Sequence, residues 1–260
     1  MRIISLNTWG GRAGRGLISS FFKKYGDTTD VFCLQEMWSA AYENLEGKNA
    51  GGVPMRYEDI MVTGVRDISA ILPNHKSFFR PHLLDNYGLF MLVNKNLPLI
   101  EEGEVFVHKQ KGYIPEGDAG NHARNIQYIT VSTEAGPITV INFHGLWTNV
   151  GEGKGKRDNK DRLEQSEKIL EFTTRLKNQF VLCGDFNLLP DTESIKKFEK
   201  AGLRNLIREF GITSTRTSFY TKPVKFADYA FLSKELDLKN FRVLPDEVSD
   251  HAPLYIEVSL

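Results

Sequence analysis

Strand-length apolar runs that end in charge constrain this chain more than any other feature. Val31-Phe32-Cys33-Leu34 runs into Gln35-Glu36, and Phe180-Val181-Leu182 runs through Cys183 into Gly184-Asp185-Phe186-Asn187. Ser249-Asp250-His251-Ala252-Pro253 precedes a final apolar run. A short continuous apolar run bounded by turn residues suits a strand buried on both faces. Its terminal acid must then emerge at the rim of the sheet, because an unpaired charge is costly to bury. Eleven β-type runs recur, at 2–7, 31–35, 68–72, 88–94, 104–108, 125–132, 138–143, 180–184, 226–232, 239–243 and 254–258. So many strands with so few helices between them do not make a simple βαβ alternation, and two packed sheets are more economical.

Helical periodicity is clearest at 159–177, where Leu163, Ile169, Leu170 and Leu176 share one side. Shorter helices are expected at 15–25, at 38–47, and at 192–209 with a break at Gly202 and a cap from Asp191 or Thr192. Segments 48–66, 109–122 and 145–160 are rich in Gly and charge, and loops that long are usually functional or disordered. No linker or repeat divides the chain, which predicts one domain over 1–260.

Composition narrows the function classes. With 260 residues, 41% of them hydrophobic and 11% aromatic, the chain can bury a sizeable core. Lys+Arg and Asp+Glu balance at 33 each, so a polyanion would have to be met by a local patch rather than a global basic field. The opening Met1-Arg2-Ile3-Ile4-Ser5-Leu6-Asn7 reads as a strand without the apolar core of a signal peptide, and no stretch is long enough for a membrane span. Cys33 and Cys183 lie inside apolar runs, where small buried thiols are expected rather than a disulfide or a nucleophile. The resulting expectation is a cytoplasmic protein, monomeric by default.

Carboxylates, carboxamides and a histidine gathered without a hydroxyl or thiol nucleophile suit a hard divalent cation and the activation of water. Hydrolysis of a phosphate ester is the chemistry this favours. Asp185 and Asn187 are two apart and share a face if the strand continues, whereas an Asx-turn ending the strand is the alternative. The glycine-rich segment 151–162 carries five basic and three acidic residues but lacks the GxxxxGK[ST] spacing of a phosphate loop. It reads as a mobile, solvated loop, or as one in which Lys154, Lys156 or Arg157 steers an anionic substrate. His75, His82, His108 and His122 lack metal-ligand spacing and read as ordinary surface or core residues. Trp9, Trp38 and Trp147 each adjoin a candidate residue, where a large ring either packs under a site or stacks on an organic leaving group.

Leu6-Asn7-Thr8-Trp9, Gln35-Glu36, Asn142-Phe143-His144, Gly184-Asp185-Phe186-Asn187, Asp228-Tyr229 and Ser249-Asp250-His251 follow one another in a familiar order and spacing. In these motifs the chain resembles the endonuclease/exonuclease/phosphatase superfamily over essentially its whole length. The resemblance implies the fold of deoxyribonuclease I, a four-layered α/β sandwich of two mainly antiparallel sheets flanked by helices. It implies a metal-dependent phosphodiesterase or nuclease in which Glu36, assisted by Asn7 and Asp250, holds Mg²⁺ or Mn²⁺. Asp185 then positions the attacking water, Asn187, His144 and His251 stabilise the phosphoryl charge, and Asp228 orients His251 and favours its imidazolium. Arg124 matches a family arginine that grips phosphate, with a surface ion pair as its alternative. Asn7 points towards metal or phosphate, Trp147 packs or stacks beside them, and Asn86 or Tyr87 is a candidate partner for His144. Water attacks in line, without a covalent enzyme intermediate.

The implied substrate is a phosphodiester, nucleic acid included. A small-molecule or lipid-headgroup phosphodiesterase of sphingomyelinase type, or a phosphatase, is the alternative, and the Asn7-Thr8-Trp9-Gly10 opening resembles that branch. Phe226-Ala227-Asp228-Tyr229 replaces the Cys-Asp-Arg of the inositol-phosphate phosphatases. A binding module that kept the fold and lost the chemistry is the reading from another class, and six intact motifs argue against it.

Overall fold

The computed structural model describes residues 1–50, 53–148 and 151–259. Residues 51–52 and 149–150, inside two of the expected loops, lie outside the described residues. The chain runs β1 (Arg2–Asn7), α1 (Arg15–Tyr25), β2 (Val31–Trp38), β3 (Asn49–Ala50), β4 (Val53–Pro54), α2 (Gly64–Ile71), β5 (His75–Leu83) and β6 (Tyr87–Asn94). It continues with β7 (Leu99–His108), β8 (Arg124–Thr133), β9 (Gly136–His144), α3 (Lys160–Arg175), β10 (Gln179–Asp185), α4 (Glu193–Lys200), β11 (Arg204–Asn205) and α5 (Leu206–Glu209). β12 (Asp228–Leu232), β13 (Leu238–Val243) and β14 (Leu254–Val258) complete it.

Two six-stranded sheets result, ordered β13-β14-β1-β2-β6-β5 and β11-β12-β10-β9-β8-β7. Each has one parallel pair at its centre, β1 with β2 and β9 with β10, and is otherwise antiparallel. With helices outside both sheets, this is the expected four-layered sandwich. Alternate residues face opposite ways along a strand. Ile3 and Val31 therefore join Ile129, Val140 and Val181 in the core between the sheets, while Ile4 and Phe32 pack outward with Ile18, Phe22 and Ile68 of α1 and α2. Cys33 and Cys183 are free thiols in the inter-sheet core.

Several local expectations give way to packing. Residues 68–71 belong to α2 with Leu72 as its C-cap, because Ile68 and Leu72, four apart, bury one face with partly buried Val65 and Ile71 against them. Segment 38–47 holds no α-helix. β2 continues through Trp38, and Tyr42 is then pinned by the Tyr57 hydroxyl, which accepts from its N–H and donates to its carbonyl. β5 went unrecognised since it is a partly exposed edge strand whose apolar residues are interrupted by Arg80 and Pro81. Neither Asp191 nor the Thr192 side chain caps α4. Asp158 does so from the preceding loop, accepting from the N–H groups of Glu193 (2.7 Å) and Ser194 (3.0 Å).

The two parallel pairs set where the polar ends meet. β1 finishes at one rim with Asn7 opposite Gln35 of β2, and β9 and β10 finish with His144 opposite Asp185, which also faces Asp228. Just beneath, the Gln35 side-chain amide donates to Asn142 Oδ1 (2.7 Å), and the Asn142 amide donates to the Leu34 carbonyl (3.1 Å). This buried bridge ties one sheet to the other below the rim, so two motif residues act as braces.

Candidate active site

Three bulky residues at the rim hold left-handed backbone: Trp9 (φ 53°), Glu36 (φ 57°) and Asn187 (φ 54°). Glu36 sits where the β2–β6 register slips between Leu34 and Met37, and such a bulge re-aims a side chain. At Gly184 (φ 144°) an added Cβ would lie 1.9 Å from the Phe143 carbonyl oxygen, so only glycine lets β9 and β10 close beneath the site. β10 ends at Asp185, and Asn187 N–H donates to Asp185 Oδ1 at 2.8 Å. The Asx-turn is thus the observed arrangement, and the two side chains do not share a strand face.

Asp185 is the hub. Asn7 Nδ2 donates to Asp185 Oδ2 (2.9 Å) and to Glu36 Oε1 (3.1 Å), while Asn7 Oδ1 accepts from Trp9 N–H (2.9 Å). Asn7 therefore ties two carboxylates together, with its own carbonyl engaged by backbone. His251 Nε2 lies 3.6 Å and His144 Nε2 3.7 Å from the same Asp185 Oδ2. His251 Nδ1 faces both Asp228 oxygens, at 2.8 and 2.9 Å, which puts its proton on Nδ1. His144 Nδ1 is buried without a hydrogen-bond partner among the described residues, so its proton is better satisfied on Nε2, facing the carboxylate. The two rings present opposite functions, a donor from His144 and a lone pair from His251.

These groups open into a cavity of about 510 Å³ whose lining also includes Trp9, Arg12, Arg124, Trp147, Lys156, Arg216 and Tyr220. Arg124 is 2% exposed, and its Nε and Nη1 have no partner among the described residues, which suits an anion rather than a surface ion pair. Arg216 pairs with Asp250 (2.8 Å) and stacks over Tyr220 at 4.1 Å.

Burial governs the electrostatics. It raises the Glu36 carboxyl against the opposing pull of Arg12 and Asn7, and it raises Asp250 despite His251 and Arg216. It pushes Asp228 up to about 6 and His251 down to about 3, the Arg216 guanidinium adding to the latter. Burial thus favours a neutral ring over the expected imidazolium, against the Asp228 carboxylate beside His251 Nδ1. His144 is likewise held well below its ordinary value by burial and then by Arg124, and Lys156 is pushed down to about 8 by burial and then by Arg216.

Carboxylates destabilised by burial, together with an Asp250 Oδ1 that has no hydrogen-bond partner among the described residues, fit a hard divalent cation. Glu36, His144 and Asp185 offer ligand atoms within 4.8 Å of one another, as do Asp185, Asp228 and His251. Of the metal candidates named from sequence, Glu36 belongs to such a cluster, Asp250 lies beside it, and Asn7 serves as the bridge.

The match to the Endonuclease/Exonuclease/phosphatase family model spans residues 4–251. The chain belongs to this family. Solved structures of the same fold include a mannosyl-6-phosphatase, Bt3783, from Bacteroides thetaiotaomicron VPI-5482, at 18% identity with a TM-score of 0.71 and 100% of both chains covered. They also include a D. rerio TDP2 humanized by 14 mutations (17% identity, TM-score 0.69, 100% of this chain and 99% of that one). The human Nocturnin catalytic domain with bound sulfate is similar at 17% identity and TM-score 0.65, with 100% of this chain and 93% of that one covered. No curated protein sequence matches the chain. Family members are phosphoester hydrolases, and the carboxylate–histidine cluster stands where the family motifs converge.

Other residues reach the site without a motif. His82 and His122 are buried beside His144, with ring centroids 4.8 Å apart and His82 6.0 Å from His144. Tyr87 packs edge-on against both, and Asn86 donates to the Ala41 carbonyl, so neither is hydrogen-bonded to His144. Trp38 packs with Tyr57 and Tyr87 in an apolar cluster, the packing role of the two open to it. Segment 151–162 is braced rather than loose: Arg162, 1% exposed, donates to the Leu146 carbonyl (3.1 Å) and to the carbonyls of Gly153 and Arg157 (2.5 Å each). Lys156 is 6% exposed, and Arg157 pairs with Asp191 at 2.7 Å.

Proposed function

We propose that this protein is a divalent-metal-dependent phosphoester hydrolase that turns over a compact ester inside the cavity by in-line attack of water. One observation carries the reading: Asp185 lies within 3.7 Å of the Nε2 atoms of two buried histidines while Asn7 links it to Glu36. Glu36 and Asp185 or Asp250 would hold Mg²⁺ or Mn²⁺, which when bound supplies Lewis-acid stabilisation of phosphoryl oxygen and a more acidic water.

Asp185 orients the attacking water and receives its proton. His251, its Nδ1–H fixed on Asp228, offers a lone pair at Nε2 and shares that proton-accepting role. His144 donates from Nε2, and Asn187 and Arg124 line the same cavity, where donors stabilise the charge that develops on phosphoryl oxygens. Trp9, Trp147 and Tyr220 form apolar wall for the organic part of the ester.

A long nucleic acid fits less well. It requires a basic track, yet Lys156 is turned inward and Arg157 is spent on Asp191. The test is turnover of p-nitrophenyl phosphate, bis-p-nitrophenyl phosphate, plasmid DNA and single-stranded RNA with Mg²⁺, Mn²⁺ or EDTA. Metal-dependent turnover of at least one small ester is expected. Cleavage unaffected by EDTA, or confined to DNA or RNA, would refute it.

A further inference from the structure

The cavity has two charged poles on either side of Asp185. At one, Glu36 is influenced by Arg12 and Arg124. At the other, Lys156 and Arg216 stand among Asp228, Asp250 and His251. Hydrogen bonds fix the second pole in place, although no family motif contributes its lysine.

Lys156 adopts left-handed backbone (φ 66°), and its carbonyl accepts from Leu189 N–H at 3.0 Å. Arg162 ties down the residues on either side of it, through Gly153 and Arg157, and Asp158 anchors the segment to the start of α4. The side chain then enters the cavity wall, where Nζ donates to the Phe226 carbonyl at 2.7 Å and lies 5.4 Å from the Tyr220 ring. An ammonium has three donors. The Phe226 carbonyl is its one hydrogen-bond partner among the described residues, so donors remain for a ligand.

A buried cation with unspent donors calls for an anion. Asp185, Asp228 and Asp250 attract it electrostatically, yet none accepts a hydrogen bond from it among the described residues. A diester phosphate carries a single negative charge and two non-bridging oxygens. A monoester carries a charge near −2 at neutral pH and three strong acceptor oxygens. Arg124 and His144 serve the first pole, which leaves the second free for the additional oxygen.

We propose that Lys156 is a phosphate-binding residue which, with Arg216 beside it, selects the dianionic phosphoryl group of a phosphomonoester. This rests on the phosphoester-hydrolase reading and names its substrate class. Arg216 holds Asp250 and stacks on Tyr220, and that contact forms the wall against which Lys156 is fixed.

The test compares the full chain with Lys156→Met and Lys156→Arg, in Mg²⁺, on p-nitrophenyl phosphate and bis-p-nitrophenyl phosphate. Calorimetric binding of inorganic phosphate and the Tm of each protein are measured alongside. The parent should favour the monoester. Lys156→Met should lose about 10²-fold in kcat/KM on it, the order expected for removing one charged donor from a reacting phosphoryl group. Its loss on the diester should stay below about fivefold, phosphate binding should weaken about tenfold or more, and Lys156→Arg should recover part of each.

Parallel losses on both esters, or phosphate affinity unchanged in Lys156→Met at a Tm near the parent's, would overturn the proposal. So would a parent that prefers the diester. If Lys156→Met does not fold, the parent's ester preference and the phosphate affinity of Lys156→Arg, expected within about fivefold of the parent, decide the matter. If the parent cleaves no ester at all, the hydrolase reading fails, and phosphate binding by the parent and Lys156→Met still tests the lysine.

Discussion

Replacing Asp185 by Asn removes one charge and leaves the shape, which makes it the cleanest perturbation of this site. Asp185 Oδ1 accepts from Asn187 N–H at 2.8 Å and Oδ2 from Asn7 Nδ2 at 2.9 Å. An amide has one oxygen, so whichever way the substituted side chain turns, one of these donors meets an NH₂ group. Losing a hydrogen bond to a charged acceptor costs roughly 1.5–3 kcal/mol. An opposing effect acts on Glu36, whose carboxyl is raised chiefly by burial and in smaller part by the Asp185 charge. Removing that charge relieves the repulsion, so the net loss of stability should stay within about 2 kcal/mol, or roughly 4–8 °C in Tm for a domain of this size.

Activity should respond far more. The variant cannot take a proton from water, and it breaks the bridge through Asn7 to Glu36 or the Asn187 turn. Loss of one preorganised electrostatic group is commonly worth about 10²–10³ in kcat, and both functions together should bring the loss to about 10³ or more. The assay is kcat on p-nitrophenyl phosphate or its diester at saturating Mg²⁺, with Tm by calorimetry. A kcat within tenfold of the parent, at a Tm close to the parent's, would show that Asp185 is not the hub of the chemistry.

Glu36→Gln should weaken Mg²⁺ dependence about tenfold or more and lower kcat by about 10² or more, read from turnover against Mg²⁺ concentration; unchanged metal dependence would remove Glu36 from the metal site. Asp228→Asn should lower kcat by about 10²–10⁴, because an amide donating to His251 Nδ1 forces the proton onto Nε2, and a loss below tenfold would refute the tautomer argument. Acid should destabilise the fold. All six histidines are held below their ordinary values, burial being the first cause, with His82 at about 3. A depressed folded value contributes stability that is present above the unfolded pKa of about 6.5 and lost as pH falls, roughly 2 kcal/mol at pH 5 for His82 alone. Asp228, raised to about 6, opposes this only as it takes up a proton, so a Tm as high at pH 5 as at pH 7.5, in EDTA, would contradict the balance. Finally, Lys154→Ser with Arg157→Ser should leave small-ester kcat/KM within about twofold at physiological ionic strength, where charges beyond a Debye length of about 8 Å act weakly on a short substrate; a larger loss there would restore a steering role.

What the sequence revealed follows from how much of each signal is local. β2 and β10 were readable because Val31, Phe32, Cys33 and Leu34, and Phe180 through Cys183, are apolar on both faces of a central strand. β5 was not, since an edge strand needs only one apolar face and His75–Leu83 mixes Lys76, Arg80 and Pro81 into it. Five apolar-rich residues at 68–72 fit either period, and the length of α2 back to Gly64 decides it. At the site, Asn7, Glu36, His144, Asp185, Asp228 and His251 could be found because each ends or adjoins a strand whose register brings it to one rim. Arg12, His122, Lys156, Arg216 and Tyr220 arrive from outside the strand ends, and their convergence depends on packing and contacts such as Arg162 with Gly153 and Asp158 with α4.

The places where strand periodicity misleads are those where the backbone is strained. Extended geometry past Leu34 would point Glu36 along the β2 alternation, and continuation past Asp185 would put Asn187 on its face; the positive φ values at both positions break that pattern. A left-handed conformation in a non-glycine residue costs of order 1–3 kcal/mol and persists only where its surroundings over-determine it. At Glu36 the surroundings are the Asn7 amide and the Thr8 hydroxyl, which donates to the Glu36 carbonyl at 3.3 Å; at Asn187 they are the Asp185 carboxylate and the Gly145 carbonyl. Glycine at either position would relax the backbone and delete the side chain that the strain serves to aim. Retaining a bulky residue at a position glycine would occupy more cheaply is what a site selected for orientation, rather than for stability, requires.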